Sequence, residues 1–262
     1  MQVRMLIATH KQYRMPDDRI YLPVFVGDAL KKNRPLGFQS DATGINISKE
    51  NSHFNELTAT YWAWKNLNAD IIGLNHYRRY FVSKRSLKKS FKYILNERQI
   101  NELLLNADIV LPVKRNYYIE TIESHYSHSH DPKELDAVKT VFAGLSRNYQ
   151  RALESVLISR SAHMFNMFIM TKADFDQYCT WLFGTLRAIE KELDFDELTG
   201  NEQRALGFIA EILMDVWVLA NKKTVVECPV QFMESNHWPK KIAVFLVNKF
   251  TGSQRRVNTH IN

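Results

Sequence analysis

Ile71-Ile72-Gly73-Leu74-Asn75-His76-Tyr77-Arg78-Arg79-Tyr80-Phe81 joins two kinds of chemistry in one short stretch. Its first part is an apolar run that predicts a buried strand, and its second part delivers His76, Tyr77, Arg78, Arg79 and Tyr80 from that strand's end. Open α/β sheets present their functional groups from the C-terminal ends of their strands. Two adjacent arginines offer bidentate donors to phosphate oxygens and stay charged at any working pH. A tyrosine beside them can stack on a base or sugar. The competing interpretation is a solvated basic turn with aromatic packing.

Outward from this stretch, apolar and helical patterns alternate. Residues 3–8 form a first short apolar run that ends in Thr9 and His10. Residues 11–50 are rich in Asp, Gly, Pro and Asn and are expected to be mostly loop. Ser52 is placed to cap a helix carrying Phe54, Leu57, Thr58, Tyr61 and Trp62, an aromatic stripe whose ordinary role is core packing. Further helices are expected around 97–105, across 133–160 in two pieces, over 174–193 and over 202–220. Strands are expected at 107–113, 164–170 and 224–230, and a His- and Tyr-rich loop at 116–132. This alternation predicts an α/β fold with a mostly parallel central sheet and helices on both faces. One domain is expected over 1–236, followed by a basic amphipathic extension over 237–262.

Composition narrows the partners. Of 262 residues, 45% are hydrophobic and 24% charged, as in an ordinary globular protein, and the net charge of +7 favours an anionic partner. Lys240, Lys241, Lys249, Arg255 and Arg256 lie in the extension without any acidic residue, interleaved with Trp238, Val244, Phe245 and Phe250. That segment either lies on an anionic membrane surface or packs on the domain. Because the positive charge is concentrated in short places, a nucleic-acid surface is not expected. No apolar run is long enough to span a bilayer, no signal peptide is evident, and Cys179 and Cys228 are expected to be reduced thiols. The protein is therefore expected in the cytoplasm, peripheral on the inner face of the membrane if the extension binds there.

The chain resembles the capsular and exopolysaccharide glycosyltransferases whose domain is catalogued as domain of unknown function 4422. The resemblance rests on Asp41-Ala42-Thr43-Gly44-Ile45-Asn46-Ile47-Ser48, on Glu56 through Asn66 with Tyr61, Trp62 and Trp64, and on Ile72 through Phe81. It continues through Ala107 to Pro112, His163 to Met170, and Gln203 to Glu211. It implies a GT-A-like single domain with a nucleotide-sugar over the C-terminal edge of the sheet. It also implies a lipid-linked glycan acceptor in capsule, O-antigen or exopolysaccharide synthesis, with UDP-galactofuranose the leading donor. A non-catalytic subunit that binds nucleotide-sugars is the alternative.

Inverting transfer needs a carboxylate to take the acceptor proton and positive charge beside the leaving diphosphate. Glu211 is the expected base. Arg204 lies seven residues before it, on the same face of a helix that Glu202 opens, and Glu202 and His76 complete the catalytic candidates. A structural ion pair is the competing explanation for this helix. The substrate-binding candidates are Thr9, His10, Asn46, Asn51, Tyr77, Arg78, Arg79, His163, Asn166 and Arg204. No divalent metal is expected, because the strand that ends at Leu74 leads into cations where paired aspartates would otherwise stand. His76, Arg78 and Arg79 are assigned the charge-neutralising role instead. Asp194 and Asp196 are the alternative metal pair, whereas Asp174, of Asp174-Phe175-Asp176, is expected to cap a helix. Glu123, His125, His128 and His130 form a dense polar cluster suited to an acceptor-binding loop, a metal, or neither.

Overall fold

The computed structural model describes residues 1–195, 198 and 200–234, with Asn201 by its backbone alone. Segment 237–262 and Asp196 lie outside the described residues. In chain order the elements are β1 (Val3–Thr9), β2 (Tyr21–Phe25), β3 (Gln39–Ser40), α1 (Asn51–Phe54), α2 (Leu57–Asn66), β4 (Ile71–His76) and β5 (Arg79–Phe81). They continue with α3 (Glu97–Leu104), β6 (Ile109–Pro112), β7 (Arg115–Asn116), α4 (Ile122–Ser129), α5 (Pro132–Ala143), α6 (Arg147–Ile158), β8 (Ser161–Ala162) and β9 (Phe168–Thr171). The last are α7 (Lys172–Glu192), α8 (Ala205–Ala220), β10 (Val225–Cys228) and β11 (Val230–Phe232).

The central sheet runs β10-β6-β9-β4-β1-β2-β3. Its neighbours are parallel except around β9, which is antiparallel to both β4 and β6. The expected α/β fold with a mostly parallel sheet is present. Alternate side chains of β1 explain why both faces must be covered. Leu6 and Ala8 enter one core with α2 and α4 through α8, whereas Val3, Met5 and Ile7 enter a second core with Ile100 of α3 and with Tyr80 and Phe81. Burying each such large apolar side chain contributes roughly 1.5–3 kcal/mol. Gly73 is required where these layers meet, since a Cβ there would lie 2.5 Å from Met5 Sδ and 3.0 Å from the Phe168 carbonyl. No helix among the described residues is long and apolar enough to cross a membrane, and Cys179 and Cys228 are buried free thiols.

Several local expectations are corrected. Residues 11–50 include β2, an interior strand of the sheet, which carries Pro23. The helix expected from Ser52 breaks at Asn55, whose φ of 49° separates α1 from α2. Residues 122–129 are helical instead of loop, because the Thr121 side chain caps α4 by accepting from Ser124 N. Helix α8 begins at Ala205, so Glu202 lies in the 3-10 turn before it. Asn166 precedes β9 and is not part of a strand. Thr171, not Asp174, caps α7, and Asp174 is held by Lys223 at 2.5 Å.

Asp41 pins the segment between β3 and α2. Fully buried, it accepts from Gly27 N (2.7 Å), Asp28 N (3.0 Å), Ser48 Oγ (2.5 Å) and Thr58 Oγ1 (2.6 Å). Gly27 sits at φ 66° and its missing Cβ leaves room for Asn51. Asp41→Ala strips the acceptor from four donors, each of which costs about 1–3 kcal/mol if left buried and unpaired. The variant is expected to lose at least about 3 kcal/mol of stability, read as a lower denaturant midpoint at unchanged m-value.

Candidate active site

A cleft of about 570 Å³ opens over the C-terminal ends of β1 and β4. Thr9, His10 and Lys11 form its floor beside His76, Tyr77, Arg78 and Arg79. Asn51, Asn55 and Glu56 enter from the α1–α2 break, and Val26 and Lys31 from the loop after β2. Arg204, Gly207, Phe208 and Glu211 form the α8 wall, and Arg115, Met164 and Phe165 close the remaining side.

The β4–β5 hairpin places the arginines. His76 pairs with Arg79 in the antiparallel register, which leaves Tyr77 and Arg78 as the turn. Arg79 lies between two rings, with its guanidinium carbon 4.4 Å from the Phe165 centroid and 5.7 Å from that of Phe232. Arg78 reaches Glu234 at 2.9 Å and covers the Tyr77 ring at 4.9 Å. Tyr77 is buried, edge-on to His10 and Tyr13. Stacking fixes a guanidinium plane without consuming its donors, so these arginines are oriented before any ligand arrives.

A turn at Phe165 and Asn166 ties the walls together. Both residues have positive φ, 79° and 53°, and a bulky side chain there is strained by roughly 1–3 kcal/mol. The Phe165 carbonyl meets His76 Nε2 at 2.6 Å, so Nε2 carries the proton and Nδ1 is left as an acceptor. The Phe165 amide donates to Glu211. Asn166 Nδ2 donates to Glu56 Oε1 at 2.7 Å and to the Gly207 carbonyl at 3.0 Å. Gly207 also lets Asn55 approach α8, since a Cβ would lie 2.5 Å from Asn55 Nδ2, and Asn55 Oδ1 in turn accepts from Arg204 Nε at 2.9 Å.

Charge in the cleft is unbalanced. Among the described residues that line it, Lys11, Lys31, Arg78, Arg79, Arg115 and Arg204 stand beside two carboxylates, Glu56 and Glu211, and Arg78 also pairs with Glu234 outside the lining. Burial, with a further push from Glu56, raises the Glu211 pKa to about 7, against the opposing pull of the Phe165 amide, Arg79 and Arg115. Glu211 therefore exchanges its proton near neutrality, as a general base requires. Burial lowers the pKa of His76, and Arg79 and Arg78 add to that effect. Glu56 and the Phe165 carbonyl oppose this shift, whose direction runs against the charge-neutralising role expected of His76. Burial and the neighbouring cations lower His10 in the same way.

Of the residues expected from sequence, Thr9, His10, Asn51, His76, Tyr77, Arg78, Arg79, Arg204 and Glu211 come together in this cleft. Asn46, His163, Asn166 and Glu202 do not line it. Asn46 instead holds its own turn, donating to the Ala42 and Gly44 carbonyls and accepting from Ser48 N. His163 is buried against Asp215 at 2.5 Å, and Asn166 supports the cleft from behind. His125 and His128 both contact Glu120 at 3.0 Å, and the described residues contain no cluster of three metal-ligating side chains. Lys11, Lys31, Asn55, Glu56, Arg115 and Phe165 were not anticipated as site residues. Arg115 had a readable signal, since it closely follows the buried strand β6, and Glu56 opens the tryptophan-bearing helix.

No curated protein matches the chain. Among solved structures it is similar to the WbbM bifunctional glycosyltransferase in its apo form, with a TM-score of 0.82 and 28% identity. The likeness covers 90% of this chain and 46% of that one, so the chain spans about half the length of that protein. The match to a described family runs from the first residues of β1 to just past α8. With residues 4–222 matched, the chain belongs to the family described as Domain of unknown function (DUF4422).

Proposed function

We propose that the protein is a glycosyltransferase that moves a sugar from a nucleotide-activated donor to a glycan acceptor. The observation that carries this reading is the pairing of Glu211, tuned to about 7, with a cleft that has cations in excess over carboxylates. The likeness to one half of a bifunctional glycosyltransferase supports the same activity. In the proposed reaction the Glu211 carboxylate takes the proton from an acceptor hydroxyl. That oxygen bonds to the anomeric carbon with inversion, and the bond from that carbon to the diphosphate oxygen breaks. The electron pair leaves with the nucleoside diphosphate, whose charge Arg78 and Arg79 receive. Galactofuranose carried on UDP is the leading donor, and a lipid-linked glycan of capsule, O-antigen or exopolysaccharide synthesis the acceptor. Both follow from the resemblance of the sequence to that family of transferases.

The same charge pattern favours transfer without a divalent metal. Fixed cations repel Mg²⁺ or Mn²⁺ while compensating the leaving diphosphate. Asp174 and Asp176 are engaged by Lys223 and Lys172, each at 2.5 Å. Transfer is expected to persist in excess EDTA, and activity lost to chelator and restored by Mn²⁺ overturns this part of the proposal.

Glu211→Gln is expected to bind donor but transfer sugar at least about 100-fold more slowly. In the wild type, kcat/KM is expected to rise with pH through about 7 as Glu211 loses its proton. The sign for stability is opposite. A carboxyl whose pKa is raised by folding binds more protons folded than unfolded, so stability falls as pH rises from the ordinary 4.5 to about 7. The melting temperature of Glu211→Gln, which lacks this titration, is expected to gain on the wild type across that window.

Arg78→Ala and Arg79→Ala are each expected to weaken UDP binding by about 1.5–3 kcal/mol, roughly ten- to 150-fold, the range for hydrogen bonds to a charged group. Calorimetry with UDP measures this directly, and unchanged affinity in both variants removes the diphosphate from these residues.

A further inference from the structure

The loop between β5 and α3 carries Lys84, Arg85, Lys88, Lys89 and Lys92, and the chain has no Asp or Glu from residue 71 through 96. All five cations are exposed and none forms a salt bridge to a carboxylate among the described residues. Between the two pairs of cations stands Leu87, with relative exposure of 101%. The loop is built, not loosely tethered. Ser86 N donates to Oε1 of the buried Gln231 at 2.8 Å, Ser83 N to the Tyr93 carbonyl at 2.9 Å, and Val82 bridges Ile94. Phe91 packs edge-on against Tyr80 beneath it, with centroids 5.1 Å apart.

We propose that this loop docks the protein on an anionic phospholipid surface, with the cations at the headgroups and Leu87 entering the interface. Clustered Lys and Arg around an exposed apolar side chain match that boundary, where anionic lipid concentrates counter-charge and the acyl region accepts the leucine. Single-stranded nucleic acid needs rings free for stacking between its cations. Here Tyr93 is covered by Lys84 at 4.5 Å and Lys92 at 5.5 Å, and Phe91 is packed inward. Lys84 lies five residues after Arg79, at most about 18 Å of chain. Docking at this loop therefore holds the arginine side of the cleft near the membrane. The biological use of that placement rests on the proposed transfer to a lipid-linked acceptor, but the docking itself does not.

The test is co-sedimentation of the full chain with vesicles of phosphatidylcholine alone and of phosphatidylcholine mixed equally with phosphatidylglycerol. The wild type is expected to sediment with the mixed vesicles only. Each cation replaced in the series Lys84→Gln, Arg85→Gln, Lys88→Gln and Lys89→Gln is expected to lower that affinity about fivefold. Leu87→Trp is expected to shift its fluorescence to the blue on mixed vesicles. Circular dichroism and UDP binding identical to wild type show that the fourfold variant is folded, since none of these residues lines the cleft. Undiminished sedimentation of the fourfold variant, equal binding to neutral vesicles, or an unshifted Leu87→Trp spectrum overturns the proposal, as does tighter binding to an RNA oligomer than to mixed vesicles. The vesicle assay needs no donor or acceptor, so its failure leaves the transferase reading standing, and failed transfer leaves the vesicle result standing.

Discussion

The left-handed turn at Phe165 and Asn166 is the constraint around which the cleft is arranged. Two adjacent residues with positive φ, one of them a phenylalanine, persist only where the surroundings over-determine them. Here His76 at the end of β4, Glu211 on α8 and Glu56 at the start of α2 all contact this turn through hydrogen bonds. The Gly207 carbonyl adds a fourth contact. Elements distant in sequence are thereby set in one relative position, and the strain is offset by bonds that relaxation of the turn would break. The same backbone unit assigns proton positions. A carbonyl facing His76 fixes its tautomer, and an amide facing Glu211 tempers a pKa that burial alone would raise further.

Electrostatic imbalance is the second organising feature. Several cations converge without enough anions to balance them, and the fold tolerates this because apolar and aromatic surfaces carry the packing. Arg79 rests between Phe165 and Phe232, Arg204 on Phe208 and Arg115 on Tyr117. Arg78 is held by Glu234, which an incoming phosphate would have to displace. Such a site is costly when empty, and the nucleoside diphosphate of the proposed reaction would relieve that cost.

Behind the α8 wall, buried polar pairs stabilise the helical layer. Glu134 is fully buried, accepts a hydrogen bond from Tyr126 and has its pKa raised to about 7 by burial. Asp215 binds both the Nδ1 and the backbone amide of His163, joining α8 to the residue that follows β8. The Asp215 pair thus anchors α8, the helix that also carries Glu211, and His163 lies outside the cleft lining.

Much of the architecture was legible locally. The apolar runs of β1, β4 and β6 and the long helices α7 and α8 follow from period and length, because burial on one face or two leaves a repeating mark. The chemistry at His76, Tyr77, Arg78 and Arg79 was legible as well, since a buried strand must release its polar residues at its end. Strand β2 was obscured by Pro23, and the break at Asn55 by a helical pattern that continues through it. Helix α4 was hidden by its histidines, which mark no periodicity. By itself, the sequence determined the α/β class, the strand that delivers the arginines, and Glu211 as a carboxylate on a neighbouring helix. Only the tertiary structure decided that Glu56, Lys31 and Arg115 share that cleft, that burial lowers the His76 pKa, and that Asn46 and His163 stand outside it. The physical reason is that proximity across the fold and desolvation belong to packed surfaces, and neither is written in the spacing of residues along the chain.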